Sequence, residues 1–391
     1  MWRKNKCNKI SKFKHQIQGI KMLPITQYYQ SKPDPRWDNK AINYNTEKYP
    51  WSDWVFSEVK KIKPSLNNLE NIHHHFKLDE MIELRKTLER LSNSVEFSKL
   101  LDEFFEEYVY PNIDFKEYLI QSTVGIRLVI PNQAKKGRLL SFHTGYWTGY
   151  NNDMGTVWTP LTKCYSSNTM QVLSWEDSAN LMHKIHQENL SLNDIQTLSE
   201  EKMFPVELDV GQSWFFGQGH LHGNINNNTD ITRVSFDARY ALADTNFGVR
   251  RAGSFFRFPG TAHDFDKKKI KNKRNWIVFV DQNSHYVGET PHFIIREFLL
   301  GYAKNLDLSI IEWSNEYWGC TWMPKLSDYC ESKNISGILM PSIYSLSGEI
   351  HQIIDILKTA VANNIQIIFA DEEIIVESEM DIEFIKRFYD L

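Results

Sequence analysis

The sequence predicts two domains of different class: a jelly roll of short strands with a helical flank, followed by an α/β domain on a parallel sheet. Three observations carry this. From Tyr118 to Leu242 apolar residues recur at every second position in short runs broken by Gly, Pro and Asn, the signature of half-buried strands joined by turns. Ahead of them, apolar residues fall at helical spacing. After Trp276, continuous apolar runs alternate with helical segments, which suits strands buried on both faces by crossover helices. A length of 391 residues fits two domains more readily than one.

Taken in order, residues 1–50 are an irregular N-terminal segment, Lys- and Asn-rich, with a turn signal at Pro33-Asp34-Pro35. Trp51 to Lys63 reads as a helix ended before Pro64. Leu78 to Tyr108 reads as helix through Leu84, Leu88, Leu91, Phe97, Leu100 and Leu101, with a break at Asn93-Ser94. YLIQSTVGIRLVIPNQ opens the strands, and TVWTPLTKCYSSNTMQVLSW continues them around Pro160. Glu176 to Glu201 is a polar, partly helical insertion. FPVELDVGQ leads into Ser213–Tyr240, the stretch around which the domain is organised. Residues 51–250 form this first domain and 251–275 a linker, containing GSFFRFPG and then KKKIKNKRN. Residues 276–391 make four βα units, starting at WIVFVDQ, LSIIEWS, ISGILMPS and IQIIFADEE, for a small open parallel sheet of flavodoxin-like type.

Composition narrows the function. A formal charge of −4 leaves no basic footprint for nucleic acid. Four cysteines, Cys7, Cys164, Cys320 and Cys330, without paired spacing point to a reducing compartment. The basic N-terminus never reaches a continuous apolar run, so it does not read as a signal peptide. No stretch approaches a membrane span. A cytoplasmic protein is expected.

Chemistry concentrates in SWFFGQGHLHGNINNNTDITRVSFDARY, residues 213–240. Strand parity carries Gln218, His220 and His222 to one face. Gly223 and an Asn-rich turn follow, and Arg233 enters the next strand. Upstream, FHTGYWTG places His143 on another strand end. Imidazole suits Fe(II), and arginine grips a carboxylate bidentately. Two imidazoles and an inward arginine therefore suit an iron site with a dicarboxylate cosubstrate. His220 rivals His222 as the second ligand. His222 is preferred for its Gly223 neighbour and its spacing to Arg233.

HGNINNNTDITRVSFDAR resembles the distal-histidine segment of phytanoyl-CoA-dioxygenase-like Fe(II)/2-oxoglutarate oxygenases, most of all the branch found in sporadic carbohydrate-biosynthesis clusters. The resemblance runs from about Pro50 to Leu242. It implies a double-stranded β-helix, Fe(II) on His143 and His222, 2-oxoglutarate on Arg233, O2 as co-reactant, and a sugar or nucleotide-sugar substrate. By the same resemblance, Trp158 and Asn224 sit near 2-oxoglutarate. Gln121 and Arg127, on the strand before His143, are substrate-binding candidates, since a charge inside an apolar strand is either solvated or satisfied in a site. Arg239 is either a site or a surface residue.

The family motif His-x-Asp is His143-Thr144-Gly145 here, so its carboxylate is missing. Three readings stay open: hydroxylation or another oxidation with an altered ligand set, which Asp153 could complete; halogenation with chloride at the vacancy; and a site that does not turn over. A non-catalytic carbohydrate-binding or assembly protein is the competing class. His73-His74-His75 reads as an exposed helix start. Trp276 to about Ser378, with SNEYWGC and SGILMPSIYSLS, resembles a second small family of the same sporadic carbohydrate clusters. Its polar residues gather at strand ends, where open α/β sheets bind ligands.

Overall fold

A computed structural model describes residue 29 and residues 40–113, 117–132, 142–247, 250–261, 269–284 and 290–390. The chain divides into two compact units near residue 262. The rest of the N-terminal segment expected to be irregular, residues 1–28 and 30–39, lies outside the described residues.

The helical flank of the first unit comes from local pattern. In α1, Trp51–Ile62, the buried residues Trp51, Val55 and Val59 fall on one face. Met81, Leu84 and Leu88 do the same for α2, Leu78–Leu91. Ser94 breaks the run by capping α3, Val95–Phe104, with its side chain accepting from the Phe97 N–H. Beyond Phe104 the expected α-helix widens into a π turn, Phe105–Val109.

The strands form two sheets. In the first, β1 (Lys40–Asn43), β7 (Gln212–Gly217), β4 (Met154–Pro160), β9 (Arg233–Leu242), β2 (Tyr118–Gln121) and β10 (Phe256–Arg257) follow one another, with β3 (Gly125–Val129) also on β9. In the second, β6 (Phe204–Pro205), β5 (Gln171–Val172) and β8 (His222–Gly223) pair, and His143 bridges to His222. All these strand pairs are antiparallel. Counting β2–β3 as the first strand and His143 as the second, the sheets pair first–eighth–third–sixth and second–seventh–fourth–fifth. That is the order of a jelly roll. Helices α4 (Trp175–Glu188) and α5 (Leu192–Glu200) fill the insertion between β5 and β6, capped by Ser174 and Ser191.

β9 ties scaffold to site. Val234, Phe236, Ala238 and Tyr240 pack with the helical flank, where Trp51 lies 5.6 Å and Phe97 6.4 Å from Phe236 by ring centroid. The alternate residues Arg233, Asp237 and Arg239 face a cleft inside the barrel. Between β2 and β3 the register on β9 changes from Tyr118↔Leu242 to Gly125↔Asp237. Residues 122–124 are thus a bulge with two extra residues, and an even insertion keeps Gln121 and Arg127 in phase.

Two segments differ from expectation for one reason. Lys40–Asn43, placed in the irregular segment, is an edge strand on β7. Residues 251–261, placed in the linker, belong to the first unit: Phe256 and Arg257 pair with Gln121 and Ile120. Phe256 and Phe258 are buried, and Arg257 makes a buried ion pair with Asp102 at 2.7 Å. Both segments owe their structure to distant partners, which no local pattern announces. Of the expected linker, residues 262–268 lie outside the described residues, and Ile270 is already in the second unit's core.

In that unit, β12 (Ile310–Asn315), β11 (Trp276–Val280), β13 (Gly337–Met340), β14 (Gln366–Phe369) and β15 (Ile374–Val376) form one sheet. The first four are parallel and β15 is antiparallel. Only Ala370–Glu373 separate β14 from β15, too few for a crossover. Around the sheet run α6 (His292–Leu306), α7 (Pro324–Cys330), α8 (Ile350–Ala362) and α9 (Glu379–Tyr389). No helix among the described residues is long and apolar enough to cross a membrane.

Removing Arg257 would leave the Asp102 carboxylate buried without its cation. Arg257→Ala should therefore destabilise the first unit by about 3–5 kcal/mol, read as a lowered urea midpoint. An unchanged midpoint would return residues 251–261 to the linker.

Candidate functional site

The cleft begins with a backbone pairing. His143 N donates to the His222 carbonyl and His222 N to the His143 carbonyl, both at 3.0 Å. This reciprocal pair puts both imidazoles on one face, ring centroids 4.4 Å apart and planes at 49°. His222 Nδ1 lies 2.8 Å from the His220 carbonyl oxygen. A carbonyl can only accept, so the proton sits on Nδ1 and Nε2 keeps its lone pair. Burial, and next the His143 ring, holds His222 well below the usual histidine pKa. It is a neutral base, the form that binds a metal.

His220 goes elsewhere. It is fully buried with Nδ1 3.0 Å from the Leu173 carbonyl and its ring edge-on to Trp175 at 5.7 Å. The local β8 pairing starts only at His222, so strand parity alone could not separate the two histidines.

Arg233 closes the cleft with only partial compensation. It is 2% exposed. Its Nη1 donates to Asn224 Oδ1 at 3.0 Å, and its Cζ lies 5.7 Å from the Trp158 ring centroid. Its Nε is buried without an acceptor, and burial pushes its pKa down to about 10. A buried guanidinium held by one neutral amide is a site shaped for an anion. Trp158, oriented by its Nε1–H to Ser235 Oγ at 3.1 Å, and Asn224 both line the cleft beside it.

Across from the histidines lies a charge cluster. Asp237 receives Arg127 Nε at 2.9 Å and Arg239 Nη1 at 2.6 Å. Burial alone would raise the Asp237 pKa; the two guanidiniums overcome it and hold the carboxyl at about 2. Gly125 stands opposite Asp237 in the register, and a Cβ there would lie 2.9 Å from either carboxylate oxygen. Arg127 and Arg239 both line the cleft, as does Asp237. Sequence reasoning passed over Asp237, although its parity with Arg233 on β9 was readable. Gln121 is not among the residues lining this cleft. It lines an adjoining hollow with Glu89 and Ser122–Gly125 and touches the cleft through Arg239, whose Nη1 donates to Gln121 Oε1 at 3.2 Å.

Gly145 is not a vacancy. It opens a 3₁₀ turn, Gly145–Thr148, and its N–H donates to the Gln218 carbonyl at 2.8 Å. A Cβ on Gly145 would collide with Oε1 of Gln218 and come within 2.9 Å of the Gln218 Cβ. Gln218 Nε2 in turn donates to Thr156 Oγ1 at 2.9 Å, holding the amide in place. The space that a side chain at 145 would need is thus taken by Gln218. Asp153 does not complete the site either: it accepts from Thr245 Oγ1 at 3.1 Å and is not among the residues lining the cleft. Among the described residues no group of three His, Cys, Asp or Glu could hold a metal ion. The candidate ligands the chain offers in the cleft are two imidazoles, His143 and His222.

The other candidates have structural roles. His73 Nδ1 bonds Thr232 Oγ1 at 2.7 Å and His75 Nδ1 bonds Ser65 Oγ at 3.2 Å. In the second unit, Asp281 accepts from the Ser347 N–H at 2.8 Å. Glu316 takes the N–H groups of Tyr317, Lys325 and Leu326. Glu372 accepts from Ser342 Oγ and the Ile343 N–H. These strand-end carboxylates pin the loops around them.

No protein-family profile matches the chain, and no curated protein does. Solved structures similar to it include the non-haem monooxygenase ThoJ in its nickel complex, at 14% identity over 54% of this chain and 76% of that one, TM-score 0.35. HygX from Streptomyces hygroscopicus, with nickel and 2-oxoglutarate bound, matches at 11% identity over 53% and 83%, TM-score 0.33. The non-haem α-ketoglutarate-dependent carbocyclase SnoK from nogalamycin biosynthesis matches at 15% over 56% and 83%, TM-score 0.29. At these scores the functional reading rests on the chain's own residues.

Two outcomes are expected from this geometry. Gly145→Asp alone should lower stability by about 1–3 kcal/mol through overpacking. Adding Gln218→Ala should restore most of that stability and raise metal affinity, read as melting temperature and metal content. A stable Gly145→Asp single variant would refute the steric argument. The second concerns pH. The folded chain keeps His222 neutral, whereas the unfolded chain protonates it near pH 6.5. Stability of the metal-free protein should therefore be complete above about 6.5 and decline as pH falls below it. His222→Gln should flatten that decline in thermal melts.

Proposed function

We propose that the chain is an Fe(II)- and 2-oxoglutarate-dependent oxygenase that hydroxylates or otherwise oxidises a sugar or nucleotide-sugar. The observation that carries this is Arg233, a buried guanidinium with an unsatisfied Nε in the cleft that also holds two paired imidazoles. His143 and His222 would hold Fe(II), and Arg233 the far carboxylate of 2-oxoglutarate. A bound metal and cosubstrate would supply the oxidising power, drawn from O2.

The chain's own residues account for the rest. The Nδ1–H of His222 on the His220 carbonyl fixes its tautomer and ring direction. Asn224 and Trp158 fix the Arg233 fork. Met170, Phe216 and Trp158 supply apolar wall, which limits water at the reacting centre. The sugar substrate and the carbohydrate-cluster context follow from the sequence resemblance. The flavodoxin-like reading of the second unit follows from its βα alternation, and the order of its four parallel strands supports it.

One observation favours a second reading, a carbohydrate-binding protein without turnover: the ligand set lacks a carboxylate. Anaerobic addition of Fe(II) and 2-oxoglutarate separates the two. The oxygenase should develop a visible charge-transfer band that His222→Ala abolishes. Arg233→Ala should keep iron but weaken 2-oxoglutarate binding by about 2–5 kcal/mol. Absence of the band in the wild type would favour the binding protein, and unchanged 2-oxoglutarate affinity in Arg233→Ala would remove Arg233 from its role.

A further inference from the structure

The charges around the cleft do not balance. Arg127, Arg233 and Arg239 line it against one carboxylate, Asp237. With Arg233 assigned to the cosubstrate, Arg127 and Arg239 face Asp237, and Glu89 of α2 also acts on Arg127. Arg250, outside the cleft lining, adds a positive charge. Its Cζ lies 4.2 Å from the Tyr150 ring centroid, and that of Arg239 lies 4.7 Å from the same centroid. Two guanidiniums thus share one buried aromatic ring, and no carboxylate pairs with Arg250 among the described residues. Arg250 gives Nε and Nη2 to the Thr148 carbonyl, at 3.1 and 2.9 Å. Burial, and then the charge of Arg239 beside it, lowers its pKa.

Arg239 is also underused as a donor. Its Nη1 serves both Asp237 and Gln121, while its Nε is buried with no acceptor. Arg127, by contrast, spends Nε and Nη2 on the two Asp237 oxygens, at 2.9 and 3.5 Å. A half-exposed guanidinium without a counter-ion at Arg250 and an unsatisfied buried planar donor at Arg239 both favour a ligand that answers them. An oxyanion meets both needs, because the guanidinium fork matches its geometry.

We propose that Arg239 and Arg250, held on the Tyr150 ring, form a second anion site that receives a phosphate or carboxylate group of the substrate. This rests on the reading that Arg233 is taken by 2-oxoglutarate. The substrate is then an anionic sugar derivative rather than a neutral one. Asp237 sets the specificity of the site as well as its charge: by occupying Arg127 it confines the incoming anion to the Tyr150 side.

The test is calorimetric titration of the full-length protein, anaerobic and saturated with 2-oxoglutarate, using glucose 1-phosphate, glucuronate and glucose as probes. At least one charged probe should bind tenfold or more tightly than glucose, and the stronger one names the group. Arg250→Gln, which breaks no ion pair, should cut that affinity at least tenfold while 2-oxoglutarate affinity stays within twofold. Arg239→Gln should do the same, with melting temperature reporting whether its Asp237 contact is needed for folding. Equal binding of glucose, binding of no probe, or charged-probe affinity unchanged in Arg250→Gln would overturn the proposal. So would loss of 2-oxoglutarate binding in Arg250→Gln, because the anion would then be the cosubstrate. If the wild type does not bind 2-oxoglutarate, the oxygenase reading fails, and the same probe titrations without it still decide the anion site.

Discussion

The cleft depends on one buried carboxylate. Asp237 holds Arg127 from β3 and Arg239 from its own strand, and without it two guanidiniums would face each other inside the barrel. An uncompensated buried charge is among the costliest defects a fold can carry. The surrounding chain is shaped to admit the carboxylate. Gly125 lies opposite it without a side chain, and the bulge at residues 122–124 lets β2 and β3 both pair with β9.

β9 turns that local constraint into a global one. Its even-numbered residues lie under Trp51, Phe97 and Phe104, while its odd-numbered ones supply Arg233, Asp237 and Arg239 to the cleft. A strand has no freedom to move one face without the other. The helical flank is therefore part of the site's geometry although none of its residues lines the cleft, and substitutions at Phe97 or Trp51 act on ligand placement through the backbone. The histidines are positioned differently. A single reciprocal hydrogen-bonded backbone pair sets their spacing.

Much of this was legible because it is local or periodic. The strand ends that carry His143 and His222, the inward phase of Arg233 and the break at Ser94 all follow from residue type and spacing. What escaped was long-range. β10 exists because Phe256 pairs with Gln121 and Arg257 finds Asp102, contacts of more than a hundred residues in separation. Lys40–Asn43 is a strand because β7 has a free edge. Asp237 had the right parity, but its pairing with Arg127 comes from a strand more than a hundred residues away. At Gly145 the sequence shows what the residue lacks and not the Gln218 side chain that packs against it.

That neighbour has a historical consequence. Gln218 occupies the volume that any side chain at position 145 would need. A lineage carrying this pair reaches an acidic ligand at 145 only by first shrinking position 218 or by passing through a collision. The packing makes substitution at 145 conditional on the residue at 218, seventy-three positions away. Any gain of a side chain at 145 is therefore tied by packing to a change at 218.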